Sequence, residues 1–466
     1  MPENQPGGQP SGPNPNRRSR NRRRGQRPGG GQQGGGQRPN QPRPDRGLPV
    51  IEDLESLETE ALVAKAKEAG ITGAARFGRP RLISELLAKQ NEGLDQTSGI
   101  LEVRPDGYGF LRTNGYLPGP NDVYVSRSQI QRLSLRTGDM ISGLARPPKH
   151  SSENYSALLQ VEKVNEKTPE ELEGAERPVF DKLPTPSPNE RIRLEWNPAE
   201  PIGRILDLLS PIGKGQRGMI VAPPKAGKTT ILRRIARAIK ENHPEIKLFV
   251  LLVDERPEEA YDWQETVGED ADVVASTFDQ PLADHLSVSE LLLERAKRLV
   301  EDGTDVVILL DSLTRMARSY NQAQRNTGKI MSGGIDSSAL EAPKRFFGAA
   351  RNIKGDGSLT ILATCLIETG SRMDEVIFEE FKGRGNMEVR LDRALAEKRI
   401  FPAINVEGSS TRNEELITPP EELQGIWRLR RVLHSVDAAE AMEILIKNMT
   451  DNRTNADFLD RIAKVG

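Results

Sequence analysis

The segment Met219–Lys240, MIVAPPKAGKTTILRRIARAIK, decides the fold of this chain. It opens with an apolar strand, and the apolar residues from Ile231 onward recur at helical spacing. The loop between them, Ala222–Thr230, ends in Gly-Lys-Thr at the start of the helix. Backbone N–H groups of such a loop, together with the helix N-terminus, surround the phosphates of a nucleotide. The segment therefore predicts a strand–loop–helix nucleotide site, although Ala222 replaces the usual first glycine.

Four polar side chains give this prediction its chemistry. Lys228 can reach the β- and γ-phosphates of ATP, and the Thr229 hydroxyl can ligate Mg²⁺. Asp311 ends an apolar strand and is placed to organise the water shell of the magnesium ion. Glu255 ends another strand, and we interpret it as the base that polarises an attacking water; the alternative is that it only caps the strand. We expect an ATP hydrolase that uses Mg²⁺.

Apolar strands alternate with helices from about Gly203 to the C-terminus. Continuous apolar runs are typical of strands buried on both faces of a mostly parallel sheet. We therefore predict an α/β motor domain over residues 201–466. Its strands are Gly218–Val221, Leu248–Val253, Asp272–Ala275, Val306–Leu310 and Leu359–Leu366.

A second pattern, of five short strands separated by turn residues, occupies residues 98–165. It fits a small closed barrel of the oligonucleotide-binding type. Tyr108 and Phe110 alternate with glycines on one strand, so both rings emerge on one face beside Arg112. We favour base stacking on these rings, with the glycines leaving room for the bases, over the alternative that both rings are core. Tyr124 and Tyr155, with Asp122 and Glu153, are the predicted pocket for base edges.

The flanking segments are less informative. Residues 47–97 predict a small module of amphipathic helices, and residues 166–200 a Pro-rich linker. Residues 1–46 hold ten arginines, no lysine and two acids, giving +8, whereas the rest of the chain carries −10. This arm is predicted to be disordered, and it either gathers RNA or only keeps the protein soluble.

Composition limits the class of protein. No run of eighteen apolar residues and no secretory signal occur, so we expect neither a membrane span nor export. The single cysteine, Cys365, allows no intramolecular disulfide, and a cytoplasmic location is the default expectation. The four histidines are too scattered to suggest a zinc site.

Two loops of the motor domain are candidates for a second nucleic-acid surface. Thr327–Ile335 is Gly-rich and carries Lys329, and Glu368–Asp374 carries Arg372. In a ring of such domains these loops would face the central hole; the alternative is that they are ordinary surface loops. Motors of this type often need a cation from a neighbouring subunit. Arg399 and Arg412 are candidates, but the sequence does not choose among the many arginines of the chain, and the favoured alternative for any single one is an ordinary position on the solvated surface.

Taken in order, these segments resemble the family of transcription termination factor Rho, and the likeness covers nearly the whole chain from about residue 50. The Ala-Pro-Pro-Lys form of the phosphate loop separates this family from the related rotary ATP synthase subunits. The stretches that carry the likeness are GYGFLR (107–112), SPIGKGQRG (210–218), VAPPKAGKTT (221–230), VDERPEE (253–259), DSLTRMARSYN (311–321), KRFFGAARN (344–352), GSRMDEVIFEEFKG (370–383) and EKRIFPAI (397–404).

The resemblance implies an OB/cold-shock-like barrel followed by a RecA-like α/β P-loop ATPase, assembled as a homohexameric ring. It implies an RNA-dependent ATPase and 5′-to-3′ RNA–DNA helicase that binds nascent single-stranded RNA, with cytidine-rich strands preferred. Such a protein releases transcripts from the RNA polymerase elongation complex.

Site residues are carried over one by one from the same resemblance. Glu255 is implied as the base, and Arg412 as the arginine that reaches from the adjacent subunit, with Arg399 nearby. The implied primary RNA site is Gly107, Tyr108, Gly109, Phe110, Leu111, Arg112, Asp122, Val123, Tyr124, Glu153, Asn154 and Tyr155. The implied ATP contacts are Gly213, Lys214, Gly215, Gln216, Arg217, Gly218, Lys225, Ala226, Gly227, Lys228, Thr229, Thr230 and Arg256. The implied secondary RNA site is Lys329, Ile330, Met331, Ser332, Gly333, Gly334 and Arg372.

Two other functions would use parts of this sequence. A RecA-type recombinase or a rotary ATPase subunit acting without RNA would share the nucleotide site, but it leaves Tyr108 and Phe110 unexplained. A passive RNA-binding protein with a structural nucleotide would need neither Glu255 nor Asp311.

Overall fold

The computed structural model describes residues 57–90, 93–148, 153–268, 271–324, 330–355 and 357–465. The predicted basic arm over residues 1–46 and the first ten residues of the predicted helical module lie outside this part of the chain. Within it, a pair of helices, a β-barrel and an α/β domain follow one another in sequence order.

The helical module consists of α1 (Thr59–Glu68) and α2 (Arg79–Gln90), joined through a 3₁₀ turn at Ala74–Arg76. Residues four apart on each helix share one face, so each helix presents a single apolar stripe to the other. The stripes meet in a small separate core formed by Leu62, Ala66, Ala74, Leu82 and Leu86.

The barrel is closed, with strand order β1-β2-β3-β5-β4. Its interior is filled by alternate residues of the strands, including Leu101, Leu111 and Ile141, none of which is exposed. The prediction of a five-stranded closed barrel is confirmed. Its elements are β1 (Asp95–Val103), β2 (Gly109–Arg112), β3 (Val123–Val125), α3 (Arg127–Arg132), β4 (Met140–Arg146) and β5 (Ser156–Val164).

The Pro-rich segment 166–200 is packed along the α/β domain, and short elements interrupt it: α4 (Pro169–Leu172) and β6 (Arg191–Ile192), the latter paired with β7 (Ile212–Gly213). Phe180 is 1% exposed and lies in a core of the α/β domain, while its backbone N–H donates to Glu301 at 2.8 Å. Arg136 of the barrel pairs with the same glutamate at 2.7 Å. These contacts attach the barrel to the α/β domain.

The α/β domain contains an eight-stranded sheet with the path β10-β9-β11-β13-β8-β14-β15, and β12 pairs with β13. All pairs are parallel except those of β12 with β13 and of β15 with β14. The predicted mostly parallel sheet is thus confirmed. The strands are β8 (Arg217–Ala222), β9 (Lys247–Glu255), β10 (Asp272–Thr277), β11 (Asp305–Asp311), β12 (Arg351–Asn352), β13 (Ser358–Leu366), β14 (Met387–Leu391) and β15 (Ile404–Thr411).

Helices cover both faces of this sheet, which explains the unbroken apolar runs. Ile220 faces one core and its neighbour Val221 faces the other. No helix in the described residues is long and apolar enough to cross a membrane. The helices are α5 (Pro201–Leu209), α6 (Lys228–Asn242), α7 (Pro257–Val267), α8 (Leu282–Glu301), α9 (Leu313–Ala323), α10 (Glu341–Gly348), α11 (Arg372–Lys382), α12 (Arg393–Glu397), α13 (Pro420–Leu433), α14 (Ala438–Asp451) and α15 (Asn455–Val465).

The sheet has two edges that matter for function. The carboxyl edge is where the parallel strands β8, β9, β11 and β13 end, and the amino edge is where they begin. Because β15 is antiparallel to β14, Thr411 at its end lies beside Met387 at the amino edge. Met387 is in turn paired with Gly218 at the start of β8.

Candidate nucleotide and RNA sites

The predicted phosphate loop joins the end of β8 to the start of α6 at the carboxyl edge. Gly227 precedes α6 with φ 94°, a left-handed conformation that glycine adopts without strain. Ala222, where a first glycine was expected, is the last residue of β8 and is fully buried. Its methyl group therefore fills the sheet core, and the loop itself begins one residue later.

The structure brings four predicted residues together at this edge. Lys228 Nζ lies 2.6 Å from Asp311 Oδ1 and 3.2 Å from Glu255 Oε1. Thr229 Oγ1 lies 3.3 Å from the other oxygen of Asp311. Thr364 on β13 also donates to Asp311, at 2.7 Å, and fixes the carboxylate. A lysine held between two carboxylates is an arrangement from which it can turn toward an arriving phosphate.

Glu255 has the properties of a base. Its side chain is 1% exposed, and burial raises its pKa to about 7, with the negative charge of Asp311 adding to the effect. Lys228 and Arg315, the latter 3.2 Å away through Nε, act in the opposite direction. Its Oε2 is buried and accepts no hydrogen bond from the described residues. That oxygen can accept one from a water.

The oxygen atoms at this site fit a magnesium ion. Carboxylate oxygens of Glu255, Glu259 and Asp311 lie within 4.8 Å of one another, and the Thr229 hydroxyl is hydrogen-bonded to Asp311. Mg²⁺ prefers such hard oxygen donors and keeps several waters of its own. Thr229 and Asp311 therefore remain the predicted magnesium-associated residues.

The pKa of Glu255 sets an expected pH dependence. The ionised form is the base, so kcat/KM for ATP should rise with pH through about 7, reach a plateau above it and be about tenfold lower one unit below. The measurement is a pH–rate profile from pH 5.5 to 9. Glu255→Gln should lower kcat roughly a hundredfold or more, and it should flatten this limb while ATP binding persists. A wild-type profile that is already flat between pH 6 and 8 would contradict the assignment.

The other predicted ATP contacts divide between the two edges. Arg256 is exposed and directly precedes α7, so it follows Glu255 at the carboxyl edge, the edge at which the loop Lys225–Thr230 also lies. Gly213–Gly218 lies at the amino edge, where β8 begins. From Arg217 to Ala222 this strand is roughly 17 Å long at about 3.3 Å per residue, and that length separates Gly213–Gly218 from the phosphate loop. One nucleotide in one chain does not contact both sets.

The predicted arginines also separate. Arg412 follows β15 at the amino edge and donates its backbone N–H to Asn386 at 2.9 Å. Arg399 lies between α12 and β15, at the carboxyl edge, so the structure does not bring it close to Arg412. Both side chains are exposed. Lys214, by contrast, is paired with Glu190 and, at 2.8 Å, with Asp305, so its charge is neutralised.

Four aromatic rings cluster on the barrel. The ring centroid of Tyr108 lies 5.8 Å from Phe110 and 5.7 Å from Tyr124. That of Phe110 lies 5.0 Å from Tyr155, whose side chain is 40% exposed. Because the barrel core is filled by other residues, these partly exposed rings form an outward platform. The alternative that they are core is wrong.

Three details of the predicted RNA site need correction. The glycine at 109 does not make room for bases: a Cβ there would lie 2.8 Å from Leu101 Cδ1, so it faces the barrel core. Leu111 and Val123 also point into the core. These positions support the platform through the backbone, since strand side chains alternate between faces.

Arg112 is 3% exposed and supports the platform from beneath. It pairs with Asp122 and donates through Nε to Glu102 at 2.8 Å, while its guanidinium lies 5.6 Å from the Phe110 ring centroid. Glu153, beside Asn154 at the rim, is bound by Arg146 at 2.7 Å. The pocket therefore presents carboxylates whose positions are set by arginines.

The two predicted loops of the secondary RNA site pack against each other. A Cβ on Gly333 would lie 2.8 Å from the carbonyl oxygen of Arg372, so the Ser332–Gly334 turn touches the start of α11. Ile330 is 60% exposed and Arg372 is exposed. Within the first loop, the backbone N–H of Met331 donates to the carbonyl of Ile335 at 2.7 Å. Lys329 lies outside the described residues.

Two arginines on α9 were not singled out from the sequence. Arg315 contacts Glu255, and Arg318, three residues later, forms a two-pronged pair with Asp374 at 2.8 and 2.6 Å. Their spacing puts them on neighbouring positions of one helix face. That spacing was the available signal, but it does not reveal the partners.

Comparisons with known proteins find similarity in both the barrel and the α/β domain. The Rho termination factor RNA-binding domain model matches residues 97–170, and the nucleotide-binding domain of the ATP synthase alpha/beta family matches residues 203–411. The chain is 52% identical over 412 residues to transcription termination factor Rho of Aquifex aeolicus (strain VF5), covering 88% of this chain and 94% of that relative. It is 51% identical over 421 residues to the same-named protein of Pseudomonas aeruginosa, covering 89% and 99%. A third relative of that name, from Streptomyces lividans, is 55% identical over 384 residues, and the chain spans 54% of its length.

Proposed function

Because this chain belongs to the family of transcription termination factor Rho, we propose that it forms a homohexameric ring in which ATP hydrolysis drives movement along a transcript. Membership makes it an RNA-binding, ATP-dependent transcription termination factor with helicase or translocase activity. The proposal adds the assembly, the site residues, 5′-to-3′ direction, Mg²⁺ as cofactor, the RNA polymerase elongation complex as the partner and the cytoplasm as the location.

The observation that carries the proposal is the division of the nucleotide machinery between the two sheet edges. Lys228, Glu255 and Asp311 lie at the carboxyl edge, whereas Arg412 lies at the amino edge of the same sheet. They meet only if the amino edge of one copy faces the carboxyl edge of the next. Such a head-to-tail interface closes into a ring when its rotation permits.

In this arrangement each residue has a stated task. Lys228 leaves the two carboxylates to bind the β- and γ-phosphates, which frees Glu255 to accept a proton from the attacking water. Arg412 of the adjacent copy stabilises charge on the transferring phosphoryl group. Magnesium, held by Thr229 and Asp311, would neutralise phosphate charge.

A continuous set of contacts supports coupling between RNA and hydrolysis. Arg315 and Arg318 stand on one helix, α9, so that the first contacts Glu255 and the second Asp374. Asp374 belongs to α11, which begins at Arg372 and packs on the Gly333 turn. A shift of these loops by RNA therefore moves the helix that positions the base.

The barrel supports a preference for cytidine. The Watson–Crick edge of cytosine offers an amino donor beside two acceptors, whereas uracil offers an acceptor in place of that amino group. Glu153, at the rim of the aromatic platform, supplies a partly exposed carboxylate acceptor that Arg146 holds in position. The carboxylate would meet the amino group of cytosine favourably and would repel the uracil oxygen.

Mixing two inactive variants tests the shared site. Lys228→Ala and Arg412→Ala rings should each be inactive. In mixed rings about a quarter of the interfaces should be intact, because each variant supplies the residue that the other lacks. The measurement is RNA-stimulated ATPase activity after subunit exchange at equal concentrations. If both groups acted within one chain, every copy would stay defective, and no activity would return.

A further inference from the structure

The regular geometry of β9 breaks near its end, at Asp254. The φ angle of Asp254 is 56°, a left-handed conformation that is uncommon for residues other than glycine. The parallel register of β10 on β9 shifts at the same point. Ser276 lies opposite Val253, but the next residue, Thr277, lies opposite Glu255. The register therefore passes over Asp254, as it does at a β-bulge, and we call this feature the Asp254 bulge.

The Asp254 bulge changes the side of the sheet that its neighbours face. Strand side chains alternate, and between residues 248 and 253 the even positions face the core under α6 and α7, whereas the odd positions face the core under α8 and α9. Alternation alone would place Asp254 on the side of α6 and Glu255 on the side of α9. Instead the Asp254 carboxylate lies 3.8 Å from Arg315 of α9. Glu255 keeps a contact with that arginine but also reaches Lys228 of α6, at 3.2 Å. The bulge therefore turns the Glu255 carboxylate toward the phosphate loop.

Arg315 holds the Asp254 bulge from the side of α9. Its Nη1 donates to the backbone carbonyl of Asp254, and its Nε lies 3.2 Å from Glu255 Oε1. One guanidinium thus fixes both the backbone of the bulge and the carboxylate that follows it.

His285 holds the bulge from the side of β10. It lies in the first turn of α8 and is 5% exposed, and its Nδ1 is 2.5 Å from the hydroxyl oxygen of the fully buried Ser276. Burial lowers the pKa of His285, so the ring is neutral at pH 7 and shares this hydrogen bond without burying a charge. Just after β10, Phe278 donates its backbone N–H to the carbonyl of Glu255 at 3.0 Å. Fixing Ser276 therefore fixes the segment that holds the backbone of Glu255.

We propose that His285 is a positioning residue for ATP hydrolysis, because it holds the Asp254 bulge and the bulge aims Glu255 at the phosphate loop. The inference rests on the proposed function, in which Glu255 is the base. His285 acts through Ser276 and needs no contact with the nucleotide. A displacement of roughly 1 Å at a reacting group costs about a hundredfold in rate, so a hydrogen bond outside the site can decide turnover.

The first test removes the hydrogen bond between His285 and Ser276. His285→Leu and Ser276→Ala should each lower kcat about tenfold at saturating ATP and RNA, because the aimed geometry loses a buried hydrogen bond. Binding of the non-hydrolysable imido analogue of ATP should change less than about twofold, since the phosphate loop is untouched. His285→Gln should stay within about threefold of the wild type, because its amide can bond the Ser276 hydroxyl. His434→Gln, at an exposed histidine that follows α13, is the matched control and should turn over normally.

A double-mutant cycle separates positioning from support of the fold. In a Glu255→Gln background, His285→Leu should lower the remaining kcat by less than about twofold, because a positioning residue has no effect once the group that it aims is gone. A residue that only supports the fold would lower kcat by the same factor in both backgrounds.

Substitution of Asp254 tests the bulge itself. Asp254→Asn loses the charge but tolerates a left-handed backbone, so kcat should stay within about threefold of the wild type. Asp254→Val should lower kcat about tenfold or more, because a β-branched residue at φ 56° forces the backbone to move. Glu166→Val, at an exposed residue with φ 65°, imposes the same backbone strain away from the site and should leave kcat unchanged.

Three results would overturn the inference: normal kcat in both His285→Leu and Ser276→Ala, equal losses in both backgrounds of the cycle, or equal effects of asparagine and valine at Asp254. Should His285→Leu fail to fold, Ser276→Ala replaces it in the cycle. Near-normal turnover of Glu255→Gln alone would instead refute the base, and the proposed function with it. An inactive Glu255→Gln protein beside fully active His285→Leu and Ser276→Ala proteins would leave the proposed function intact.

Discussion

Lys228→Ala should abolish ATP turnover, with kcat reduced about a thousandfold or more. The ammonium is placed to bridge the phosphates, and it already lies 2.6 Å from Asp311. Burial by itself lowers the pKa of Lys228, but the Asp311 and Glu255 carboxylates outweigh it, so the lysine stays charged. Its loss leaves those buried carboxylates facing the incoming phosphates without a cation between them. ATPase assays in saturating RNA measure the effect.

The matched control is Lys247→Ala. Lys247 begins β9 at the opposite edge of the sheet and pairs with Asp272 at 3.1 Å, on the surface. It should retain turnover within about twofold, since exposed pairs contribute little. Thermal unfolding of both variants separates loss of chemistry from loss of fold. A folded Lys228→Ala protein with near-normal hydrolysis would place the nucleotide elsewhere.

Tyr108→Ala combined with Phe110→Ala should weaken binding of single-stranded RNA about a thousandfold. Two rings that each stack a base at about 2 kcal/mol contribute about 4 kcal/mol together. Both rings face outward and touch Tyr124, so the double substitution removes no side chain from the barrel core. Titration of a labelled cytidine-rich oligonucleotide measures the loss, and ATP affinity should persist because the phosphate loop is in another domain.

Tyr116→Phe is the control for this pair. Tyr116 is 8% exposed and packs edge-on against Phe249, away from the platform, so RNA binding should be unchanged. Should the double variant bind RNA as tightly as the wild type, the four rings would be a structural cluster and the transcript would bind elsewhere on the barrel.

Much of the nucleotide site could be predicted, because the sequence shows where the apolar strands end. Asp311 and Glu255 each close an apolar run, and parallel strands end at one edge, so their meeting with Lys228 follows from the pattern. The closed barrel was predictable from short strands and turn residues. Both predictions used only local periodicity.

What escaped prediction depends on orientation and strand order. The two-residue repeat of a β-strand shows that Gly109 and Phe110 face opposite sides of the barrel wall, but it does not show which side faces the core. The reversal of β15 separates Arg412 from Arg399, and nothing in the residues themselves reveals that reversal. The Pro-rich composition of 166–200 likewise conceals Phe180, Ile192 and Leu194, three apolar residues buried in the cores of the motor domain.

The most direct measurement is ATP hydrolysis by the purified protein with and without cytidine-rich single-stranded RNA, alongside its native mass. The account predicts a ring of six copies whose turnover rises at least about tenfold with RNA, since loops at Gly333 and Arg372 act on Glu255 through α9. A monomer that hydrolyses ATP at one rate, with or without the polynucleotide, would contradict it.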